Sequence, residues 1–315
     1  MIKLNRIYNE DCLEGMKRIP DGSVDLVLTD PPYGTMKGAN LDGWDNGTKT
    51  DWDTAIEPSA IFAECSRVTR QNGKVVLFSQ EPYTSRLIQN AVPSLPFSYR
   101  AIWLKNNHAN PLMAKNAMVS RYEDVLVFCC SDGRGVVSEY MRSELERSGL
   151  SMAQVNQIIG TSTMAGHYFR TGSQFALPTK EKYLLLQDTG YWQKPYDELV
   201  KGNEAVFNLW QGGKSKSNVL EYSKDNDGYH PTQKPVKLLE DLIQTYSNEG
   251  DTVLDFTMGS GSTAIACINT NRNYIGFELD KHYCDIANER IQKALAGSDE
   301  KGLSVKEVVG GFELG

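Results

Sequence analysis

The chain has 315 residues, 40% hydrophobic and 23% charged, ordinary globular usage that argues against disorder or a fibrous chain. At about 100–200 residues per domain it holds one large domain or two moderate ones. A net charge of −7 excludes a uniformly basic nucleic-acid surface. No run approaches the roughly 18 apolar residues of a membrane span, and six scattered cysteines without a Cys-x-x-Cys pair, beside four histidines, signal neither a zinc site nor disulfides. The expectation is a cytoplasmic protein with free thiols and no metal.

In chain order, a short strand at Arg6–Asn9 leads to Asp11, the N-cap of a helix carrying Leu13, Met16 and Ile19. A strand at Val24–Thr29 runs into Asp30-Pro31-Pro32-Tyr33-Gly34. The stretch from Thr35 to Asp51, around Trp44 and rich in Gly and Asn, reads as a mobile lid, with Trp52 as a core anchor or part of that lid. Strands follow at Lys74–Ser79, Tyr99–Leu104 and Asp124–Cys130, rich in β-branched and aromatic residues. From Tyr140 to Gln187 the pattern changes to short helices: Ser151-Met152-Ala153-Gln154 is a capping box opening a helix to Ile159, Gly160 turns the chain, and a second helix reaches about Phe169. This is either an inserted recognition module or a pair of packed surface helices. Between Arg134 and Ser217, ten Lys and Arg stand against eight Asp and Glu, a slight positive excess in an acidic chain.

Pro235, placed at a first helical position, opens a helix with Val236, Leu239, Leu242, Ile243 and Tyr246 at three-to-four spacing and Gly250 beyond its end. A strand at Thr252–Phe256 follows, then one at Tyr274–Glu278. A last helix is capped by Asp280, with Tyr283, Ala287, Ile291 and Leu295 on one face, and the residues after Ala296 read as a mobile tail. Strands alternating with helices predict an α/β fold with a mostly parallel sheet.

Two constellations carry chemistry. Asp255-Phe256-Thr257-Met258-Gly259-Ser260-Gly261-Ser262-Thr263-Ala264 is a strand end followed by a Gly-x-Gly loop that opens a helix, a shape that lets backbone approach a ligand. Glu278 ends the next strand, where a carboxylate accepts from both hydroxyls of a ribose. Together they predict an adenosine-containing ligand, without separating NAD from S-adenosylmethionine. The second constellation, Asp30 to Tyr33, presents a carboxylate, a rigid diproline and an aromatic ring at the carboxyl end of a strand, where open α/β sheets bind ligands. The lone pair of an exocyclic amine is delocalised into its base, so methylating it requires acceptors that grip the NH2. Asp30 and the Pro31 carbonyl supply them, Pro32 stiffens the turn, and Tyr33 stacks on a base flipped from the duplex.

With these motifs the chain resembles the permuted, beta class of S-adenosylmethionine-dependent amino-group DNA methyltransferases, over roughly 200 residues. The order of motifs is the specific part: Asp30-Pro31-Pro32-Tyr33 first, an insert, His230-Pro231-Thr232-Gln233-Lys234-Pro235, then the glycine loop and Glu278. The resemblance implies a seven-stranded, circularly permuted Rossmann-like sheet that starts at its third strand, with a small helical target-recognition domain inserted. It implies a catalytic part at 1–133, the insert at 134–217, the cofactor half at 218–296 and a tail at 297–315. Asp30, Pro31, Pro32 and Tyr33 are then catalytic. Asp11 and Cys12 hold the cofactor's adenine, Thr232 and Lys234 its methionine end, and Asp30, Asp255, Phe256, Gly259, Ser260, Gly261, Ser262, Thr263 and Glu278 complete the cofactor site. Cys12 is no nucleophile, because cytosine C5 chemistry uses a Pro-Cys segment and none occurs here.

The chain departs from the family where Asp255-Phe256-Thr257 replaces the usual Asp-Pro-Phe, which alters pocket packing. Arg142, Arg147, Arg170, Lys180 and Lys182 are candidate phosphate contacts on double-stranded DNA, and the run from Lys105 to Asn110 is a solvated loop or a further contact with DNA or the flipped base. Asp rather than Ser before Pro-Pro-Tyr favours adenine N6 over cytosine N4. A homodimer is compatible with the class. The alternatives are an NAD-dependent dehydrogenase, which leaves Asp30 to Tyr33 without a use, and a DNA-binding partner subunit without turnover, which leaves the intact motifs without one. RNA and protein-amide acceptors also stay open, although the amide enzymes present Asn where Asp30 stands.

Overall fold

The computed structural model describes residues 2–34, 53–106, 115–116, 118–130, 134–170, 175–200, 206–209, 214–225, 229 and 232–299, with the side chains at 134–136 and 297–299 excepted. The expected lid with Trp44, Trp52, the run 107–110, His230, Pro231 and the tail beyond Asp299 lie outside the described residues.

By contact the chain divides into two compact units, Ser131–Ala205 and the remainder. The insert expected over 134–217 overlaps the smaller unit, while the described residues from Val206 to Ser217 fall in the larger one. Among the described residues the larger unit has eight strands: β1 Arg6–Asn9, β2 Val24–Thr29, β3 Thr69–Ser79, β4 Phe97–Leu104, β5 Tyr122–Cys129, β6 Val219–Glu221, β7 Thr252–Asp255 and β8 Asn273–Glu278. They lie in the order β1-β8-β7-β2-β3-β5-β4-β6, parallel except β5, which runs antiparallel to β3 and β4. The expectation of seven strands is corrected by β6, a three-residue edge strand too short to leave a sequence pattern.

Alternation along the strands sends successive side chains to opposite faces. Val27, Val75, Leu77, Leu126, Leu254 and Phe277 pack with α1 (Cys12–Met16), α2 (Pro58–Val68) and α3 (Tyr83–Gln89). In the second unit, α4 (Arg134–Ser148), α5 (Met152–Ile158), α6 (Ala165–Tyr168), α7 (Lys180–Gln187) and α8 (Tyr196–Val200) enclose their own core of Met141, Val155, Tyr183, Leu186 and Trp192. The Ser151–Gln154 capping box forms as expected. On the other face of the sheet, Leu26, Leu28, Val76, Val125 and Val253 pack with α9 (Val236–Tyr246), α10 (Ser262–Asn269) and α11 (Lys281–Asp299). Pro235 is the extended N-cap of α9 rather than its first helical residue, and α11 continues past Ala296 to Asp299.

The connection leaving β7 crosses one face through α10, and that leaving β2 crosses the other through α2. Between β7 and β2 the winding reverses, and such a switch point leaves a crevice at the carboxyl ends of the strands. Asp255 ends β7, and Asp30 directly follows β2. No helix among the described residues is long and apolar enough to cross a membrane.

Candidate active site

The Asp255 half is held by uncharged donors. Asp255, 4% exposed, accepts from Thr29 Oγ1 at 2.6 Å, Thr263 Oγ1 at 2.6 Å and Thr257 N at 3.0 Å. One carboxylate thus ties β2, the loop and α10 together. Without a cation beside it, burial pushes its carboxyl up to about 6 against the three donors. The loop turns through Gly259 and Gly261, both left-handed at φ +54° and +86°. At Gly261 a Cβ would stand 2.9 Å from the Ala287 Cβ, whereas at Gly259 it would meet nothing within 4 Å. Gly261 is needed for close packing on α11, and Gly259 leaves space above the loop. Glu278 accepts from Gly259 N and Asp280 N, both at 2.8 Å, so its carboxylate stands against the loop, its proton held more tightly through burial.

The Asp30 half is held by charge. Lys234, 6% exposed, places its ammonium on Asp30 Oδ2 and 3.2 Å from Glu123 Oε2. The other Glu123 oxygen takes the ammonium of Lys105, 3% exposed. The result is a row of alternating charge, Asp30, Lys234, Glu123 and Lys105, with both lysines buried and both carboxylates half-buried. Aromatic rings line it, with Phe78 5.1 Å from Lys234 Nζ and Trp103 5.0 Å from Lys105 Nζ. Burial raises the Asp30 carboxyl, opposed by Lys234 and reinforced by Glu123. Desolvation acts to lower Lys234, but the two carboxylates outweigh it and hold the ammonium protonated. Burial acts to raise Glu123, but Lys234 and Lys105 outweigh it and keep it ionised. Tyr33 donates its hydroxyl to Asp30 Oδ1 at 2.5 Å, and its ring lies 6.1 Å from that of Tyr83. Thr257 donates to the Asp30 carbonyl at 3.1 Å and joins the two halves.

A family model described as DNA methylase matches residues 24–289, spanning both halves and the insert. The chain belongs to the DNA methylase family. It is similar to the DNA adenine methyltransferase YhdJ of Escherichia coli (strain K12), 28% identical over 96% of this chain and 87% of that protein. It is also similar to the type II methyltransferase M.HpaI of Haemophilus parainfluenzae, 25% identical over 93% and 76%. The solved complex of M1.HpyAVI with S-adenosylmethionine shares the fold at a TM-score of 0.50 and 21% identity, covering 90% of this chain and 98% of that one.

This DNA methylase depends on S-adenosylmethionine, and its residues fit that group. Space lies open above Gly259, a half-buried carboxylate stands beside it at Glu278, and next to Lys234 the Gln233 amide has both polar atoms buried without a partner. The Asp11 side chain caps α1 through Glu14 N at 3.1 Å, and burial pushes the Cys12 thiol up to about 12, unsuited to a nucleophile. Pro31 is buried, Pro32 half-buried, and Phe256 is in the core with Leu254 and Phe277. Ser260, Ser262 and Thr263 are buried in the loop and first turn of α10.

Sequence reasoning missed Glu123 and Arg290 of this DNA methylase and the pairing of Lys105. Glu123 and Lys105 belong to its charged row, so Lys105 is buried and paired rather than part of a solvated loop. Arg290 of α11 donates to Ser260 O at 2.6 Å and Ser260 Oγ at 3.1 Å, with its guanidinium 4.4 Å from the Tyr229 ring. The sequence signal was slight: Glu123 stands in the polar start of β5, between Tyr122 and Asp124, and Lys105 directly follows β4. Lys234, expected at the cofactor's methionine end, is engaged by Asp30 and Glu123. In the second unit Arg142 and Arg170 are exposed and Lys182 half-buried, while Arg147 pairs with Glu144 and Lys180 with Asp197.

Proposed function

We propose that the protein transfers the methyl group of S-adenosylmethionine to the N6 amine of adenine in double-stranded DNA, working in the cytoplasm on a base flipped from the helix. The observation that carries this reading is the Asp30 carboxylate: it closes β2 at the switch point, partly exposed, on the strand next to the glycine loop. The cofactor supplies an electrophilic methyl group. Asp30 and the Pro31 carbonyl accept from the target NH2, localising its lone pair on nitrogen, and Lys234 keeps Asp30 ionised as acceptor. Tyr33 orients that carboxylate through its hydroxyl and offers its ring to the base. Glu278 accepts from the ribose, the glycine loop cradles the cofactor, Asp11 and the Cys12 amide take its adenine, and Thr232 and Gln233 lie toward its methionine end. Asp at position 30, and similarity to a relative named as an adenine enzyme, favour adenine over cytosine N4. The exposed basic residues of the second unit supply phosphate contacts, and a homodimer is compatible with this reading.

The test is incubation with unmethylated DNA and methyl-labelled S-adenosylmethionine, followed by mass spectrometry of the nucleosides. Labelled N6-methyladenine is expected. Labelled N4-methylcytosine would replace the base, and no labelled nucleoside despite cofactor binding would overturn the reading.

A further inference from the structure

The charged row poses a problem for an amine acceptor. An ammonium given wholly to Asp30 draws electron density from the oxygens that must grip the target NH2, and a weaker base is a weaker acceptor in the transition state. Lys234 is not given wholly to Asp30, because Glu123 takes part of it. Glu123 is in turn shared with Lys105. These residues come from four separate parts of the chain, and backbone pairing fixes them: Trp103 of β4 stands opposite Glu123 of β5, and Lys105 follows the end of β4.

We propose that Glu123 is a positioning residue for methyl transfer: by dividing Lys234 between two carboxylates it holds the ammonium in place beside Asp30 while leaving Asp30 basic enough to accept from the target amine, with Lys105 setting the division. The inference rests on Asp30 being the amine acceptor.

The two links have effects of opposite sign. Glu123→Gln keeps the shape but removes a negative charge near Asp30, so Asp30 releases its proton more readily and Lys234 settles on it alone. Lys105→Gln removes a positive charge and does the reverse. The groups acting on Asp30 are Lys234, Glu123 and its own neighbour Tyr33, with Asp255 on the adjacent strand. Lys105 and the half-buried Lys224 after β6 act through Glu123 and Lys234.

The experiment is the pH profile of single-turnover transfer at saturating S-adenosylmethionine and DNA for the wild type and both variants, with thermal melting and calorimetric cofactor affinity alongside. In E123Q the acidic limb is expected at lower pH, with transfer at neutral pH reduced on the order of tenfold and cofactor affinity within a few-fold. In K105Q the acidic limb is expected at higher pH. An acidic limb that stays put in a folded E123Q, limbs that move the same way in both variants, or a change confined to cofactor affinity would overturn the inference. If E123Q does not fold, the direction of the K105Q limb decides alone. Turnover retained in Asp30→Ala would instead overturn the acceptor reading on which this rests.

Discussion

The two carboxylates at the switch point, Asp255 and Asp30, are one strand apart and held by opposite means. Asp255 is satisfied by two hydroxyls and a backbone amide, geometry that locks three segments in place but leaves an ion buried without a counter-charge. Asp30 shares an ammonium with Glu123 and takes one hydroxyl, so a counter-charge opposes the effect of burial on it while part of its acceptor capacity stays open to solvent. The first arrangement suits a rigid cradle. The second suits a group that must change partners during a reaction, because an ammonium divided between two carboxylates can redistribute without any charge losing its partner.

The largest expected effect breaks the Asp30 side alone. Asp30→Ala should lower kcat by at least about 10²–10³-fold, the scale for removing one preorganised transition-state hydrogen-bonding group, with calorimetric S-adenosylmethionine affinity within a few-fold. A parallel loss of cofactor affinity would show that the two halves are not separable.

The next prediction sharpens the cradle side. Gly261→Ala combines a left-handed backbone with a contact on Ala287 and should cost about 2–4 kcal/mol of stability in denaturant unfolding. Gly259→Ala meets no protein atom; it should cost about 1–2 kcal/mol and weaken cofactor binding more than its stability loss suggests. Equal melting of the two variants would remove the distinction between a packing glycine and a ligand-facing one.

A smaller effect follows from the missing counter-charge on Asp255. Its proton is held more tightly in the folded than in the unfolded chain, so its contribution to stability is complete below about pH 4 and is lost as pH rises through about 6. Asp255→Asn should flatten the stability profile across that window by about 2–3 kcal/mol relative to the wild type, read from melting at several pH values. An unchanged slope would mean that the three donors compensate burial fully.

The smallest effect lies in the second unit. Arg142→Glu and Lys182→Glu should each reduce the slope of log DNA affinity against log salt by about 0.9 for every phosphate that is no longer neutralised. Arg147→Glu and Lys180→Glu should do less, since Glu144 and Asp197 already share those charges. Equal slopes for all four variants would show that these ion pairs do not govern DNA binding.

Much of the fold was legible because its strands carry local signals: β1 and β2 have the limits read from β-branched and aromatic runs, and Gly259, Gly261 and Glu278 announce a loop and its facing carboxylate by spacing alone. Phase along each strand also determines which side chains enter which core. The edge strand β6 left no trace, since three residues have no period to read. What only the tertiary structure decided is the pairing of charges. Lys234 is 204 residues from Asp30, and nothing local distinguishes a lysine that meets a cofactor from one that crosses the crevice to a carboxylate. Glu123 drew no reading, and Lys105 stood at the start of a polar run, until antiparallel pairing of β4 and β5 brought the two into contact. Sequence determines the types of group available and the elements that carry them; which ion meets which depends on strand order and on burial, because desolvation makes an unpaired charge too costly to leave and so forces a partner from wherever the fold supplies one.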